Sequence, residues 1–569
     1  NTIDTVAGDG IRVIDRGTAV GTGAFASNTI TNTGGNAITF ELAESGSGTH
    51  RVTDSTFGNL GGNAVRVEAS GTASYDVSVE GSSASGLADS ALFLSAADSS
   101  EGSLSASNSI FDGGGVDATA SGNARAGLTV SGSRFENDPG AVFALEVSDS
   151  ARLVSGLSNN VLAGNRAALD LEVTGTALSQ TTFSGNAVSN GSTDAVSASF
   201  AGSGTQSFAA TGNEISNIDG TAIRVEATDG TATAVVSNNT ISTAIDHGVR
   251  ILSGGSASVN ATLQGNGIGS ASGGGVQLRA EDGGLLSANA RNNVIEDSGT
   301  YGLQVRSEDN GTISAEIEGN AFRRTVAAAI DLLSRDNALL AVLAQANTIT
   351  DSNTFGIAGD VAEDALLNLT ATGNTISNTT QEAIVFGGAD NSSSRFEARG
   401  NQISATGSAS GLRASYLGAH DAFLRLENNR IGPVSQDAIV VETSDTTEAD
   451  IAATGNAIEQ TSQGGIRMTL FSNQDQSALV RGNDLQTVGS NAVNVATQGN
   501  KSVTVFDNTI GTTGGAAVRV EMQSSGLVLE GAGDGDNSYD DATPVPFDDA
   551  GTAPFSGGAG VRINGTVYP

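Results

Sequence analysis

An asparagine or serine followed two residues later by an apolar residue returns along this chain at a nearly fixed interval. The anchors are Asn1, Asn28, Asn108, Asn159, Asn186, Asn213, Asn239, Asn266, Asn293, Asn320, Asn347, Asn374, Asn401, Asn429, Asn456, Asn483 and Asn508. Ser55, Ser82 and Ser133 fill the gaps. Between residues 1 and 508 these anchors set a period of about 27 residues, which is the signature of a solenoid. A chain of 569 residues would otherwise suggest several globular domains.

Nine residues after each anchor comes a second signal: a small residue, an aliphatic, any residue, an aliphatic. Gly10-Ile11-Arg12-Val13, Ala222-Ile223-Arg224-Val225, Gly302-Leu303-Gln304-Val305 and Ala517-Val518-Arg519-Val520 are examples. A third alternating run precedes the next anchor, as in Ile313-Ser314-Ala315-Glu316-Ile317 and Val503-Thr504-Val505. Alternation with period two means strand, and the Gly, Asn, Asp and Ser between runs are turn formers. Three short strands per coil, too small to bury their own apolar face, must stack on the next coil. The expected fold is therefore all-β: a single-stranded parallel β-helix solenoid of about 20 coils. Val326-Ala327-Ala328-Ala329-Ile330 is the nearest thing to a helix former, and it falls where a strand is due.

The period loosens between Asn108 and Asn159, where a bulged or looped-out coil is expected. It breaks after Leu529, and Gly560-Val561-Arg562-Ile563 then resumes the strand signature. The expected organisation is a repeat domain over 1–530, an acidic Pro/Gly-rich loop or cap over 531–557, and a terminal strand over 558–569. The chain opens in register at Asn1 and does not begin with Met, so it reads as a processed or excised segment. An open first coil would expose unpaired strand edges, so either more chain or another subunit should cover it.

Texture such as Gly212-Asn213-Glu214-Ile215-Ser216 followed by Ala222-Ile223-Arg224-Val225 resembles the secreted bacterial right-handed parallel β-helix proteins. These share the pectate-lyase-like fold and include autotransporter passengers and surface fibres. The resemblance covers nearly the whole chain. It implies right-handedness and an extracellular or cell-surface location, and it leaves activity open, because the fold hosts lyases, hydrolases, tailspikes, adhesins and inert fibres.

Charge narrows the partners. The net charge is −36 and only one lysine, Lys501, is present. Such a chain is repelled by nucleic acid and by anionic membrane surfaces. No apolar run reaches the length of about 20 residues that a membrane helix needs. The absence of Cys removes disulfides and thiolate metal sites.

Few residues suggest chemistry. The repeated asparagines read as a turn ladder bonded from coil to coil. Arginine recurs at the outward position of the second strand, at Arg12, Arg66, Arg224, Arg250, Arg413, Arg467, Arg519 and Arg562. Glu68, Glu226 and Glu521 follow two residues after three of them, so this stripe should be a mixed, salt-bridged face. Asp246-His247 is the most enzyme-like pair in a chain with three histidines. Polygalacturonase-type relatives of the fold carry Gly-His-Gly with paired acids, of which only His247-Gly248 is present here. Asp534, Asp536, Ser538 and Asp540 place acidic or hydroxyl oxygens at alternate positions and form a candidate Ca²⁺ site, without the distal Glu of an EF-hand.

The functional expectation is a non-catalytic extracellular rod, structural or adhesive, with end-to-end self-association and cell-surface or matrix polysaccharide as candidate partners. The alternative is a polysaccharide lyase or hydrolase, or a glycan-binding tailspike-like protein.

Overall fold

Repeated apolar alternation cannot be satisfied within one coil, and the computed structural model shows how neighbouring coils satisfy it. The structure describes residues 1–523, 527–531, 533, 535–540, 545–551 and 558–568. It divides into two units: Asn1–Val276 with Gly284–Ser287, and Gln277–Gly283 with Ala288–Pro569. Both units are all-β and have the same construction, a parallel β-helix of the right-handed type whose coils contribute one strand to each of three sheets. We call these sheets A, B and C in the order the chain visits them after each anchor.

In the first unit, Thr29–Thr33 in sheet A, Ile38–Leu42 in sheet B and Ser47–Thr53 in sheet C make one coil. Each lies parallel and in register on its successor: Ile30 on Phe57, Ile38 on Val65, Phe40 on Val67, and Val52 on Val79. All eight side chains are buried. In the second unit Phe322, Ile349 and Ile376 stack in sheet A, and Ile330, Ile357 and Ile384 stack in sheet B. Burying each such side chain contributes about 1.5–3 kcal/mol, and its neighbours above and below supply the contacts. The Val326–Ile330 stretch leads into the strand Ile330–Ser334, as the alternation predicts.

The small residue opening each sheet-B strand has a steric cause. At Gly302 a Cβ would lie 2.6 Å from the Ala329 carbonyl oxygen and 2.6 Å from the Phe322 ring. Volume is also exchanged between coils. Gly359 lies beneath Phe386, where a Cβ would come within 2.9 Å of the ring.

The asparagine ladder runs at the corner between sheets C and A. Asn374 is fully buried. Its Oδ1 accepts from the main-chain N and from Nδ2 of Asn347, both at 3.0 Å. Its own Nδ2 donates to Ala344 O and to Asn401 Oδ1, both at 2.9 Å. In the first unit serine does part of this work: the N–H groups of Asn28, Ser55, Ser82 and Ser109 donate to the Oγ of Ser55, Ser82, Ser109 and Ser133, each at 3.2 Å.

The ladder corrects two anchors. Ser109 and Asn160 are the laddered residues, not Asn108 and Asn159. Asn108 and Asn159 occupy the preceding left-handed position, at φ 51° and 55°. Asparagine suits both places, so the spacing of asparagines alone points one residue too early. Accordingly Phe111 and Leu162 face the core, while Ile110 and Val161 face out. The expected bulged coil is instead a short one: Ser109 and Ser133 are 24 residues apart, and Gly113-Gly114-Gly115 leads directly into the strand Val116–Ala120.

Of residues 531–557, expected as a loop or cap, the described ones include two short strands of a further coil. Asn537 continues the ladder, accepting from Asn508 N at 3.1 Å. Ser538–Tyr539 lies parallel on Thr509–Thr513, and Phe547–Asp549 on Val518–Met522. The expected terminal strand is a hairpin, Val561–Ile563 antiparallel to Thr566–Tyr568, and Arg562 O accepts from Asn537 N at 3.0 Å.

Replacing Asn374 by Ala removes the acceptor for Asn347 and the donor for Ala344 O inside a buried corner. The expected cost is about 3 kcal/mol of local stability. Hydrogen exchange of the amides around 347 and 401 measures it. Asn374→Ser, the residue used at Ser82, should cost less, and equal effects of both would contradict the ladder's role.

Candidate functional site

The outward row of sheet B carries the arginine stripe, and most of it is neutralised as expected. Arg66 lies 2.6 Å from Glu68, Arg413 2.7 Å from Glu442, and Arg467 2.8 Å from Asp437. Arg12 pairs with Glu41, Arg224 with Glu226, and Arg519 with Asp548 at 3.4 Å. Arg562 belongs to the terminal hairpin. Exposed pairs of this kind contribute about 0–1 kcal/mol each.

Arg250 departs from this rule. It stands between the core residues Val249 and Ile251 and lies in register on Arg224. It is half-buried, its Nε has no hydrogen-bond partner, and no described carboxylate lies within ion-pair distance of it, although its charge acts on the Asp246 carboxylate. Sequence spacing alone does not mark the difference: Glu stands two residues after Arg66, Arg224 and Arg519, but Ile14, Ser415 and Thr469 follow the paired Arg12, Arg413 and Arg467 just as Leu252 follows Arg250.

Next to Arg250, a polar network crosses three coils. Arg224 reaches Asp194 at 3.6 Å. Asp194 Oδ1 accepts from Thr221 N at 2.7 Å, and Thr221 Oγ1 donates to Asp246 Oδ2 at 3.0 Å. His247 Nδ1 lies 2.8 Å from Asp246 Oδ1. Partial burial works against the Asp246 carboxylate, yet His247, Thr221 and Arg250 together hold it below the usual carboxylate range. Asp246 therefore stays ionised beside the imidazole.

Two shallow hollows flank this network. One, of about 260 Å³, is lined by Arg166, Asp170, Thr193, Asp194 and Ser197 among others. The other, of about 350 Å³, lies at the turn between sheets A and B and is lined by Asn190, Asn217, Asp219, Thr243 and Ile245 among others. Ile245 is exposed and immediately precedes Asp246. The sequence singled out Asp246 and His247, but Thr221 and Asp194 become visible only when successive coils are placed in register.

The other two histidines point inward. His50 Nε2 lies 2.9 Å from Asp15 Oδ2, and its ring stacks on Phe40 with centroids 4.7 Å apart. His420 stacks on Tyr416 at 4.9 Å and hydrogen-bonds Ser392 and Ser394 at 2.9 and 2.8 Å. Gly388 makes room for it, since a Cβ there would lie 2.4 Å from the ring. Lys501 is buried too, its Nζ donating to the carbonyls of Ser472, Gln474 and Asn500, and desolvation pushes its pKa down.

Of the candidate Ca²⁺ residues, Asp534 lies outside the described residues. Asp536 Oδ2 accepts from Gly565 N at 2.8 Å, Ser538 opens a short strand, and Asp540 is exposed. Among the described residues, no three His, Cys, Asp or Glu side chains converge as metal ligands. No described helix is long and apolar enough to cross a membrane.

No protein-family model matches the sequence, and no curated protein matches it. Solved structures with a related chain path include a periplasmic alginate epimerase, AlgG, at 12% identity, covering 63% of this chain and 76% of that one with a TM-score of 0.27. The mannuronan C-5 epimerase AlgE6 A-module of Azotobacter vinelandii is 13% identical, covering 79% and 91% with a TM-score of 0.17. The PL6 family alginate lyase AlyGC is 10% identical, covering 98% and 100% with a TM-score of 0.25. These values add nothing to what the coils themselves show about the fold.

Burial pushes the His420 imidazole from 6.5 down to about 4. Below pH 6.5 the unfolded chain therefore takes up a proton that the folded chain refuses. Stability should fall as pH drops through this window, by on the order of 3 kcal/mol from this group. Chemical denaturation at several pH values should show a steeper loss for the native chain than for a His420→Gln variant.

Proposed function

We propose that this chain is an exported scaffold that binds an acidic polysaccharide on sheet B of its first unit, with Arg250 receiving a sugar carboxylate. The observation that carries this reading is that Arg250 has no carboxylate within ion-pair distance, and Asp246, on which its charge acts, is already engaged by Thr221. Guanidinium is built to accept a planar carboxylate through two parallel N–H bonds, and the other sheet-B stripe arginines already have such a partner within the chain. The hollows on either side of the Asp194–Thr221–Asp246–His247 network offer hydroxyl, amide and carboxylate groups at spacings set by the coil repeat. A polymer of hydroxylated rings laid across successive coils meets the same kind of group at each step.

The net charge of −36 repels a densely charged polyanion at a distance. The ligand favoured is thus a polysaccharide in which acidic sugars are spaced among neutral ones. The adhesive-scaffold reading of the sequence is compatible with this, because near-identical coils hold such a patch rigidly.

A second reading, polysaccharide cleavage, is favoured by one observation: the ionised Asp246 holds the only surface-reaching histidine among the described residues. In that reading His247 would move a proton at the sugar while Arg250 neutralises the carboxylate.

The test uses xylo-oligosaccharides bearing a single glucuronate beside their neutral counterparts. Calorimetric titration should show binding of the acidic oligosaccharide only, weakened about tenfold or more by Arg250→Gln. Equal binding of both, or no effect of the substitution, would remove the proposal. Release of unsaturated or reducing ends that is lost in His247→Ala would promote the second reading over the first.

A further inference from the structure

We propose that Arg125 and Arg152, on sheet C of the first unit, form a clamp for the carboxylate of an acidic sugar. The strands Arg125–Ser131 and Arg152–Ser158 lie parallel, with Arg125 directly opposite Arg152. Their Cα atoms are thus one strand spacing, about 4.8 Å, apart. Both side chains are exposed, and neither pairs with a described carboxylate. Like charges directly opposite on neighbouring strands are destabilising.

The rest of sheet C avoids this arrangement. Arg51 pairs with Glu80 at 2.5 Å, Arg291 with Glu316 at 2.6 Å, Arg395 with Glu397 at 2.5 Å, and Arg425 with Asp450 at 2.5 Å. In a chain this acidic, leaving two stacked guanidiniums without a carboxylate runs against the local pattern. Carboxylates nearby in sequence do not relieve them. Asp149, three residues before Arg152, accepts at Oδ2 from Gly122 N at 2.9 Å. Glu101 lies opposite Arg125 on the other side without forming an ion pair.

The adjoining row explains why a sugar fits better than a bare ion. Two residues along on the same face are Gly127 and Val154, also opposite each other. Gly127 offers no side chain, and Val154 is 40% exposed. Together they make a low apolar floor beside the two charges. A pyranose ring can lie there with its carboxylate turned onto Arg125 and Arg152. These residues are separate from the sheet-B patch, so either site can fail alone.

The test titrates the full chain with digalacturonate, with inorganic sulfate and with a neutral disaccharide, following the arginine side-chain and Val154 methyl signals by NMR. Digalacturonate should shift Arg125, Arg152 and Val154 together, sulfate should shift the arginines more weakly, and the neutral sugar should shift none. Arg125→Gln/Arg152→Gln should abolish these shifts, raise the melting temperature by relieving repulsion, and leave any response at Arg250 intact. Val154→Asp, which supplies an internal carboxylate and keeps both arginines, should weaken digalacturonate binding about tenfold. Sulfate binding as tightly as digalacturonate, or digalacturonate shifts that survive the double substitution, would overturn the assignment.

Discussion

Each coil of this protein depends on its neighbours for an interior. A coil of about 27 residues cannot exclude water from its own aliphatic side chains, so the fold exists only where successive coils agree in register. Ile330, Ile357 and Ile384 show the consequence: the same position must be apolar each time the chain returns to it. The asparagine corner enforces that agreement, because each buried side chain bonds main-chain and side-chain groups of adjacent coils. Register at the corner then fixes which residues face inward on all three sheets.

The same constraint determines how charge is arranged. A substitution at one outward position repeats its neighbours at about 4.8 Å, so like charges accumulate as stacks unless opposite ones alternate. Sheet B answers with arginine beside glutamate. The turn between sheets B and C in the second unit does not: Asp282, Asp309, Asp336, Glu363 and Asp390 recur there, each in the left-handed conformation. Glu363 is held above the usual carboxylate range chiefly by the charge of Asp336. Among the described residues Arg125, Arg152, Arg166, Arg250 and Arg562 have no carboxylate within ion-pair distance, and of these Arg125, Arg152 and Arg250 are the proposed contacts for an outside anion.

Much of the architecture was legible because the repeat samples the same structural problem many times. The small residue before each sheet-B strand, the outward arginine and the buried anchor could all be read from spacing. Legibility failed where one residue type satisfies two neighbouring positions, as Asn108 and Asn159 do beside Ser109 and Asn160. It failed again past Leu529, where Asn537 and Tyr539 continue the coil pattern behind a longer turn. The site was legible only in part. Asp246 and His247 are adjacent in sequence, but Thr221 and Asp194 join them across coils. The distinction of Arg250 shows only in contacts across coils, because Ile14, Ser415 and Thr469 also follow their paired arginines where a carboxylate could stand.

The most direct measurement is a crystal structure of the full chain with a glucuronate-bearing xylo-oligosaccharide. The account predicts the sugar carboxylate within hydrogen-bonding distance of the Arg250 guanidinium, with neighbouring sugar rings over the hollows beside Asp194 and Ile245. An oligosaccharide bound with its carboxylate away from Arg250, or seated wholly on another face with sheet B empty, would contradict it.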